Sequence, residues 1–305
     1  MSRREIGALL LSVILFFVIG EAGIRLYLRH KTIYDMEMLR YSMLMKVDSE
    51  NPLIEYVHKP NTSARLMNVD VRINSDGWRD EEYPAAKTGK YRIIFLGDSL
   101  TFGWGVEHKD TFENIIEENL NKRYPAEIIN FGTGNYNTEQ EVNLFLEKGF
   151  KYKPNKVVIF YFINDAETTQ KKSRLWFLGY SRLISFYWSK GHFLISNLFS
   201  SKGFEGYYSS LYANGSAGWV NAKAAFLQLK DICLKRSIEL QVVLLPELHN
   251  LEKYPFKKEH GLVEKFLRDN SIECLDLAPF FAGFKNPMEL WVAQDDAHPN
   301  KKAHN

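Results

Sequence analysis

The stretch that decides the fold is YRIIFLGDSLT, residues 91–101. Its apolar run from Tyr91 to Leu96 is typical of a buried strand, and Gly97 ends that run. Similar apolar runs recur further along the chain, at residues 128–129, 157–163, 240–245 and 272–275. Amphipathic helical patterns separate them. Buried strands that alternate with helices predict a parallel sheet covered on both faces, and therefore an α/β fold.

Composition narrows the functional classes. The chain has 305 residues, of which 45% are hydrophobic and 25% are charged, so extensive disorder and a polytopic membrane protein are both excluded. The formal net charge is only +2 and no long basic run occurs, so we expect no nucleic-acid partner. Two cysteines, Cys233 and Cys274, are too few for a disulfide framework. They could form a single bridge, but we expect two small buried thiols.

In parallel sheets of this kind, ligands lie at the carboxyl ends of the strands, so the polar residues that follow each strand are the candidates for chemistry. Ser99 follows the first strand directly and precedes a helix, a position that can present its Oγ and its own N–H at the sheet edge. Taken alone, Ser99 could equally be a turn residue or a helix cap.

Two further strand ends carry candidate groups. The second is followed by a loop, residues 130–136, in which Gly132 and Gly134 allow backbone N–H groups to approach a ligand closely. The third is followed by Asn164, whose side-chain amide can donate to a developing oxyanion. Each segment, taken alone, is also explained as an ordinary turn or cap.

Near the C-terminus, residues 295–300 read DDAHPN. A histidine that serves as a base must reach the serine hydroxyl, and a carboxylate must fix its tautomer. Asp295 lies three residues before His298, so one turn of chain could bring its carboxylate to Nδ1 while Nε2 faces Ser99. A metal site is the alternative interpretation, although a single histidine without a second nearby His or Cys supports it poorly.

These four blocks in this order resemble the GDSL or SGNH hydrolase superfamily, over about two-thirds of the chain. Upstream, NSDGWR at residues 74–79 also looks like a segment of membrane-anchored bacterial members. The resemblance implies a flavodoxin-like three-layer sandwich with a five-stranded parallel sheet and no cofactor. It also implies roles for specific residues. Ser99 would be the nucleophile, His298 would be the base, and Asp295 would be the carboxylate that orients His298. The oxyanion donors would be the N–H of Ser99, the side-chain amide of Asn164 and a backbone N–H from Gly134 or Asn135.

Three positions depart from the family pattern. The second-block glycine of the family aligns best with Asn135, a residue type that tolerates the left-handed conformation. Phe162 replaces the usual glycine of the third block and could narrow the acyl pocket. Only seven residues follow His298, too few for the stable terminal helix that relatives place against the sheet, so we expect a poorly held histidine in a shortened chain.

The N-terminus resembles a membrane-targeting segment. Arg3 and Arg4 precede an apolar run that extends, with Glu21 as an interruption, to Leu28. An uncleaved signal anchor over residues 1–31 is the favoured interpretation; a cleaved signal peptide and a buried core helix are the alternatives. We expect a single-pass protein of the cytoplasmic membrane whose domain lies outside. Residues 32–84 read as a polar, irregular N-terminal extension, and residues 85–305 as the hydrolase-like domain.

An insertion at residues 168–217 leaves the α/β pattern and is rich in aromatic residues. Residues 174–199 predict helical hairpin material. The insertion could bury its rings against the sheet, form a sugar-stacking lid or dip into a membrane.

The sequence thus predicts a serine esterase. The resemblance to membrane-anchored members implies that its substrate is a small O-acyl group on a cell-envelope or exported polysaccharide. Its partners would be an acylated carbohydrate and the membrane. An acyltransferase with the same residues and a catalytically silent carbohydrate-binding or assembly protein are the alternatives.

Overall fold

The structure is a computed structural model, and it describes residues 1–85, 89–169, 179–199 and 203–305. The strands are β1 (Lys46–Asp48), β2 (Tyr56–His58), β3 (Ser63–Leu66), β4 (Val69–Arg72), β5 (Tyr91–Gly97), β6 (Ala126–Asn130), β7 (Lys156–Tyr161), β8 (Glu239–Leu244), β9 (Glu273–Asp276), β10 (Trp291–Ala293) and β11 (Asp296–Pro299). The α-helices are α1 (Arg3–Tyr27), α2 (Tyr34–Met45), α3 (Ser99–Phe102), α4 (Phe112–Asn121), α5 (Thr138–Lys148), α6 (Arg182–Phe199), α7 (Phe204–Leu211), α8 (Ala217–Lys235), α9 (Lys257–Asp269), α10 (Ala278–Phe281) and α11 (Lys301–His304). Single 3-10 turns occupy Leu28–His30, His108–Asp110, Gly149–Tyr152, Ile163–Ala166 and Pro287–Leu290.

The central sheet contains β5 to β9 in the order β6-β5-β7-β8-β9, and every neighbouring pair is parallel. This order places the first strand second from the edge, as in flavodoxin-like folds. The predicted α/β fold with a five-stranded parallel sheet is confirmed.

Both faces of the sheet are buried, which explains why its strands read as nearly continuous apolar runs. Successive side chains of a strand point to opposite faces. Ile94 and Leu96 therefore join the core formed with α5 and α8, whereas Ile93 and Phe95 join the core on the α4 side.

The N-terminal extension packs tightly onto the sheet instead of forming a loose linker. Trp78 is almost fully buried, its ring stacks on that of Phe131 with centroids 3.7 Å apart, and its Nε1–H donates to the hydroxyl of Tyr152. A second core contains Tyr41 and Met45 of α2 together with Phe102 and Trp104, which follow β5. The extension thus covers the carboxyl end of β5, where the candidate serine lies.

Helix α1 is long and apolar enough to cross a membrane. None of its 25 residues is buried, so the alternative of a buried core helix is wrong. A membrane anchor and a signal sequence both fit such a helix near the N-terminus.

The aromatic insertion lies partly outside the described residues, including Trp176 and Phe177. The start of the predicted hairpin, residues 174–178, also lies outside the described residues, and from Arg182 to Phe199 the chain is one continuous helix, α6, instead of a hairpin. The described rings divide into two groups. Tyr212 is buried and hydrogen bonds to Tyr161, whereas Tyr187 and Trp188 are exposed.

Candidate active site

The strand-to-helix turn after β5 presents Ser99. Asp98 caps α3 by accepting the N–H of Leu100, and Ser99 is the first residue of that helix. Gly97 is required for this turn, because a Cβ at that position would lie 2.0 Å from Oγ1 of Thr101. The Ser99 residue is only 4% exposed, so its hydroxyl lies in a largely desolvated environment.

A hydrogen-bonded chain of three side chains begins at this serine. Oγ of Ser99 lies 2.7 Å from Nε2 of His298, and Nδ1 of His298 lies 2.5 Å from Oδ1 of Asp296. Because a carboxylate accepts the proton of Nδ1, Nε2 carries the lone pair that can accept the serine proton. Ser99 and His298 lie 199 residues apart in sequence.

The carboxylate in this chain corrects the prediction made from the sequence. Asp296 contacts His298, whereas the expected residue, Asp295, accepts the backbone N–H of Tyr34 at 3.3 Å. The segment from Asp296 onwards is the extended strand β11 and not a turn. Side chains two residues apart on a strand lie on the same side, and side chains three apart do not.

Asp296 is held as an anion. Burial raises its pKa, but hydrogen bonds from His298 and from Nε1 of Trp104 outweigh burial and hold the pKa of Asp296 below its ordinary value. The same Oδ1 also accepts the backbone N–H of His298 at 3.1 Å. This carboxylate can therefore fix the imidazole and stabilise its protonated form.

His298 is well held, contrary to the expectation drawn from the short tail. The ring of Tyr34 lies 5.6 Å from its ring, and the ring of Trp104 lies 6.2 Å away. The tail itself forms α11, where His304 stacks on Phe112 and accepts its backbone N–H through Nδ1. Burial lowers the pKa of His304 to about 4, which keeps it neutral for this role.

The candidate oxyanion donors differ in availability. Within the described residues, the backbone N–H groups of Ser99 and Asn135 have no acceptor, whereas that of Gly134 donates to the hydroxyl of Tyr41 at 3.0 Å. The N–H of Gly134, one of the two expected second-block donors, is therefore already used in the hydrogen bond to Tyr41. Asn135 adopts φ +65°, the left-handed conformation that its residue type tolerates.

Asn164 lies in the 3-10 turn that follows β7, on the same rim of the sheet as Ser99. Burial raises the pKa of Asp98 above its ordinary value, although the hydrogen bond from the backbone N–H of Leu100 partly opposes the rise. Within the described residues, Oδ1 of Asn164 is buried and has no hydrogen-bond partner.

The second-block loop depends on residues that the sequence did not single out. Tyr41 accepts from Gly134 and lies 2.6 Å from Nε2 of His58, whose Nδ1 lies 3.1 Å from the carbonyl of Gly77. A carbonyl only accepts, so Nδ1 carries the proton and the Tyr41 hydroxyl donates to Nε2. Lys46 adds a hydrogen bond to the carbonyl of Gly134 at 2.5 Å.

Other residues of the extension have a similar supporting role. The guanidinium of Arg79, from the 74–79 segment, donates to the carbonyls of Phe102, Gly103 and Val106 and so holds the loop behind α3. Only this segment carried a sequence signal. Tyr34, Tyr41 and His58 stand in no motif and could be found only through the fold.

Nothing in the described part of the chain groups three or more His, Cys, Asp or Glu side chains to hold a metal ion. Cys233 and Cys274 are both free, so the single bridge is not formed.

A comparison with known protein families finds a match to part of the chain. Residues 95–192 match the model of the GDSL-like Lipase/Acylhydrolase family. The matched stretch is similar to that family. It contains Ser99 and Asn164 but ends before His298. The resemblance seen in the motifs is thereby confirmed, and the match supports an ester-hydrolysing enzyme. The search of curated proteins found no match.

Solved structures with a similar fold cover most of the chain. A catalytic mutant of Axe2, an acetylxylan esterase from Geobacillus stearothermophilus, is 14% identical, with 72% of this chain and 91% of that chain covered and a TM-score of 0.46. The esterase EstA from Pseudoalteromonas sp. is 14% identical, with 70% and 91% covered and a TM-score of 0.44. The acetyl xylan esterase AlAXEase is 16% identical, with 70% and 93% covered and a TM-score of 0.44. At these values, the likenesses bear on neither substrate nor mechanism.

Proposed function

We propose that the chain is a serine esterase of the SGNH type that works through an acyl-enzyme. The observation that carries this proposal is the hydrogen-bonded chain from Ser99 through His298 to Asp296. A nucleophile, a base and an orienting carboxylate in this arrangement are the requirement for acyl transfer to serine.

In the first half-reaction, Oγ of Ser99 attacks the ester carbonyl carbon while Nε2 of His298 takes the hydroxyl proton. The negative charge develops on the carbonyl oxygen, which the N–H groups of Ser99 and Asn135 and the amide of Asn164 stabilise. When the tetrahedral intermediate collapses, the C–O bond to the alcohol breaks and His298 returns the proton to the leaving oxygen. Asp296 stabilises the transient imidazolium.

In the second half-reaction, His298 takes a proton from water, and the hydroxide oxygen attacks the acyl carbon. The bond from Ser99 Oγ to that carbon breaks, and the serine regains its proton. The products are the free acid and the original enzyme. A sugar hydroxyl in place of this water would give acyl transfer with the same residues.

A small O-acyl group on a cell-envelope or exported polysaccharide is the proposed substrate. In this proposal, the ring of Tyr34, which lies 5.6 Å from the ring of His298, restricts the space for an acyl chain and offers a face for a sugar. We further propose that α1 is retained as a single-pass anchor of the cytoplasmic membrane and that the catalytic domain lies outside.

The test is hydrolysis of p-nitrophenyl acetate by the full-length protein in detergent. We expect turnover that Ser99→Ala abolishes. Mass analysis of an acetylated oligosaccharide then separates the reactions, since hydrolysis gives free acetate, whereas transfer raises the mass of an acceptor by about 42 Da as one acetyl group replaces a hydroxyl hydrogen. Equal rates for the wild type and Ser99→Ala would refute the serine mechanism and favour a catalytically silent protein.

A further inference from the structure

Two adjoining cavities lie where α6 packs against the end of α1. The first has a volume of about 230 Å³, and charged residues dominate its wall: Arg25, Arg29, Lys31, Glu37, Arg65 and Arg182. The second has a volume of about 390 Å³ and an apolar wall: Phe16, Phe17, Leu183, Ile184, Tyr187 and Trp188. We call them the basic pocket and the apolar groove.

The basic pocket carries an excess of positive charge. Five cationic side chains line it against one lining carboxylate, that of Glu37. Three of these cations are ion-paired: Arg25 with Glu21, Arg65 with Asp70 and Arg182 with Glu37. Neither Arg29 nor Lys31 forms an ion pair within the described ranges of the chain. A pocket of this composition attracts an anion with several acceptor oxygens, which arginine side chains bind best.

A carboxylate inside the apolar helix fixes the two cavities beside each other. Glu21 of α1 accepts the N–H groups of Arg182 and Leu183 and the hydroxyl of Ser181, so it caps the start of α6. Gly20 permits the close approach, because a Cβ there would lie 2.9 Å from Leu183. The basic pocket and the apolar groove thus share α1 and α6, and their wall passes from Arg182 directly to Leu183.

The described part of α6 exposes two large aromatic rings at neighbouring positions. Tyr187 and Trp188 are 66% and 48% exposed, whereas Ser185 and Ser189 are buried. Exposed aromatic rings of this kind are typical of a helix that meets the interfacial region of a bilayer.

We propose that the basic pocket and the apolar groove together bind one anionic phospholipid, with its phosphate in the pocket and an acyl chain in the groove. On α1, Arg25 and Phe17 are eight residues apart, which corresponds to about 12 Å along the helix axis. That distance fits a lipid whose headgroup lies at the end of the span and whose chain runs beside it. The proposal rests on the proposed retention of α1 in the membrane.

Lipid binding at this place would orient the active site relative to the membrane surface. Helix α2 begins three residues after Lys31, and its first residue, Tyr34, lies against His298. The ion pair between Arg182 and Glu37 also connects α6 to α2. The headgroup site and the catalytic histidine are therefore joined by one short helix.

The experiment is native mass spectrometry of the full-length protein in detergent, titrated with phosphatidylglycerol, phosphatidylcholine or inorganic phosphate. We expect one phosphatidylglycerol to bind in preference to phosphatidylcholine. The double variant Arg29→Gln/Lys31→Gln should weaken that binding about 10- to 30-fold, and Trp188→Ser should weaken it severalfold. The matched control is Lys235→Gln/Lys258→Gln, which removes two exposed charges elsewhere and should bind like the wild type.

Equal binding of the two lipids, or unchanged binding by the Arg29→Gln/Lys31→Gln variant, would overturn the proposal. Inorganic phosphate that displaces the lipid completely would identify free phosphate as the ligand and overturn it as well. A measured mass that lacks α1 would do the same. Turnover of p-nitrophenyl acetate by the same samples reports separately on the esterase, so loss of one function leaves the other result interpretable.

Discussion

The turn after β5 and the N-terminal extension contribute to the same site in different ways. The turn places Ser99 through residues that are neighbours in sequence, such as Gly97 and Asp98. The extension acts across more than 90 residues of chain, because Tyr41 holds Gly134 in the second-block loop. A short motif therefore identifies the reacting group, whereas the residues that shape its surroundings are set by packing.

The largest expected effect is on kcat, and it distinguishes the adjacent carboxylates Asp296 and Asp295. Asp296→Asn should lower kcat about 10³- to 10⁴-fold, because the amide cannot fix the reactive tautomer of His298 or stabilise its charge. Asp295→Asn is the matched control and should stay within about twofold of the wild type, since the hydrogen bond that Asp295 makes among the described residues goes to the backbone of Tyr34 and not to His298. Kinetics with p-nitrophenyl acetate measure both. The reverse order of the two effects would restore Asp295 as the partner of His298.

The contribution of the extension to stability is tested at Trp78. Trp78→Ala should lower the free energy of unfolding by about 3–5 kcal/mol, because it removes a buried ring stacked on Phe131 and leaves a cavity. Leu234→Ala, at an exposed position, is the control and should change the free energy by less than about 0.5 kcal/mol. Urea unfolding measures both variants. A loss below 1 kcal/mol at Trp78 would mean that the extension is only loosely attached.

Stability should fall as the pH is lowered, in part through His58. Burial lowers the pKa of His58 to about 3, from an ordinary value of 6.5. Between these values the unfolded chain binds a proton that the folded chain does not, so the fold loses about 2–3 kcal/mol from pH 6.5 to pH 4.5 through this group. His58→Gln should flatten that part of the profile relative to the wild type. His304, whose pKa is lowered to about 4, contributes in the same direction. An unchanged profile in His58→Gln would show that His58 is accessible to protons in the folded state.

A smaller effect is expected at Tyr41. Tyr41→Phe leaves the N–H of Gly134 and Nε2 of His58 without their shared partner, which should cost about 1–3 kcal/mol of stability. We also expect kcat to fall about tenfold with little change in KM, because the neighbouring N–H of Asn135 acts on the transition state. Tyr152→Phe removes another buried, doubly bonded hydroxyl and should lower stability without this change in kcat. If both variants lose stability alone, the Tyr41 contact is structural only.

The sheet could be predicted because its strands are buried on both faces, and runs such as residues 91–97 and 157–161 record that burial directly. Ser99 and His298 could be named because each lies in a short block with a recognisable spacing. The sequence named Asp295 instead of Asp296 for a physical reason, since the motif does not reveal whether the chain is extended or turned at that point. The extended backbone of β11 places the side chain of Asp296 on the same side as that of His298.

The rest of the site had no local signal. Gly134 looked available until Tyr41 proved to accept its N–H, and that contact depends on how α2 packs against Phe102 and Trp104. The direction in which Tyr187 and Trp188 face depends in the same way on the capping of α6 by Glu21. Such contacts follow from tertiary packing, which composition and periodicity do not encode.

Labelling with a fluorophosphonate, followed by peptide mapping, tests the central arrangement most directly. The full-length protein should carry the label on Ser99, and His298→Ala should remain folded but lose most of the labelling, because the hydroxyl then has no base. A folded wild-type protein that stays unlabelled, or a label on another residue, would contradict Ser99 as a nucleophile activated by His298.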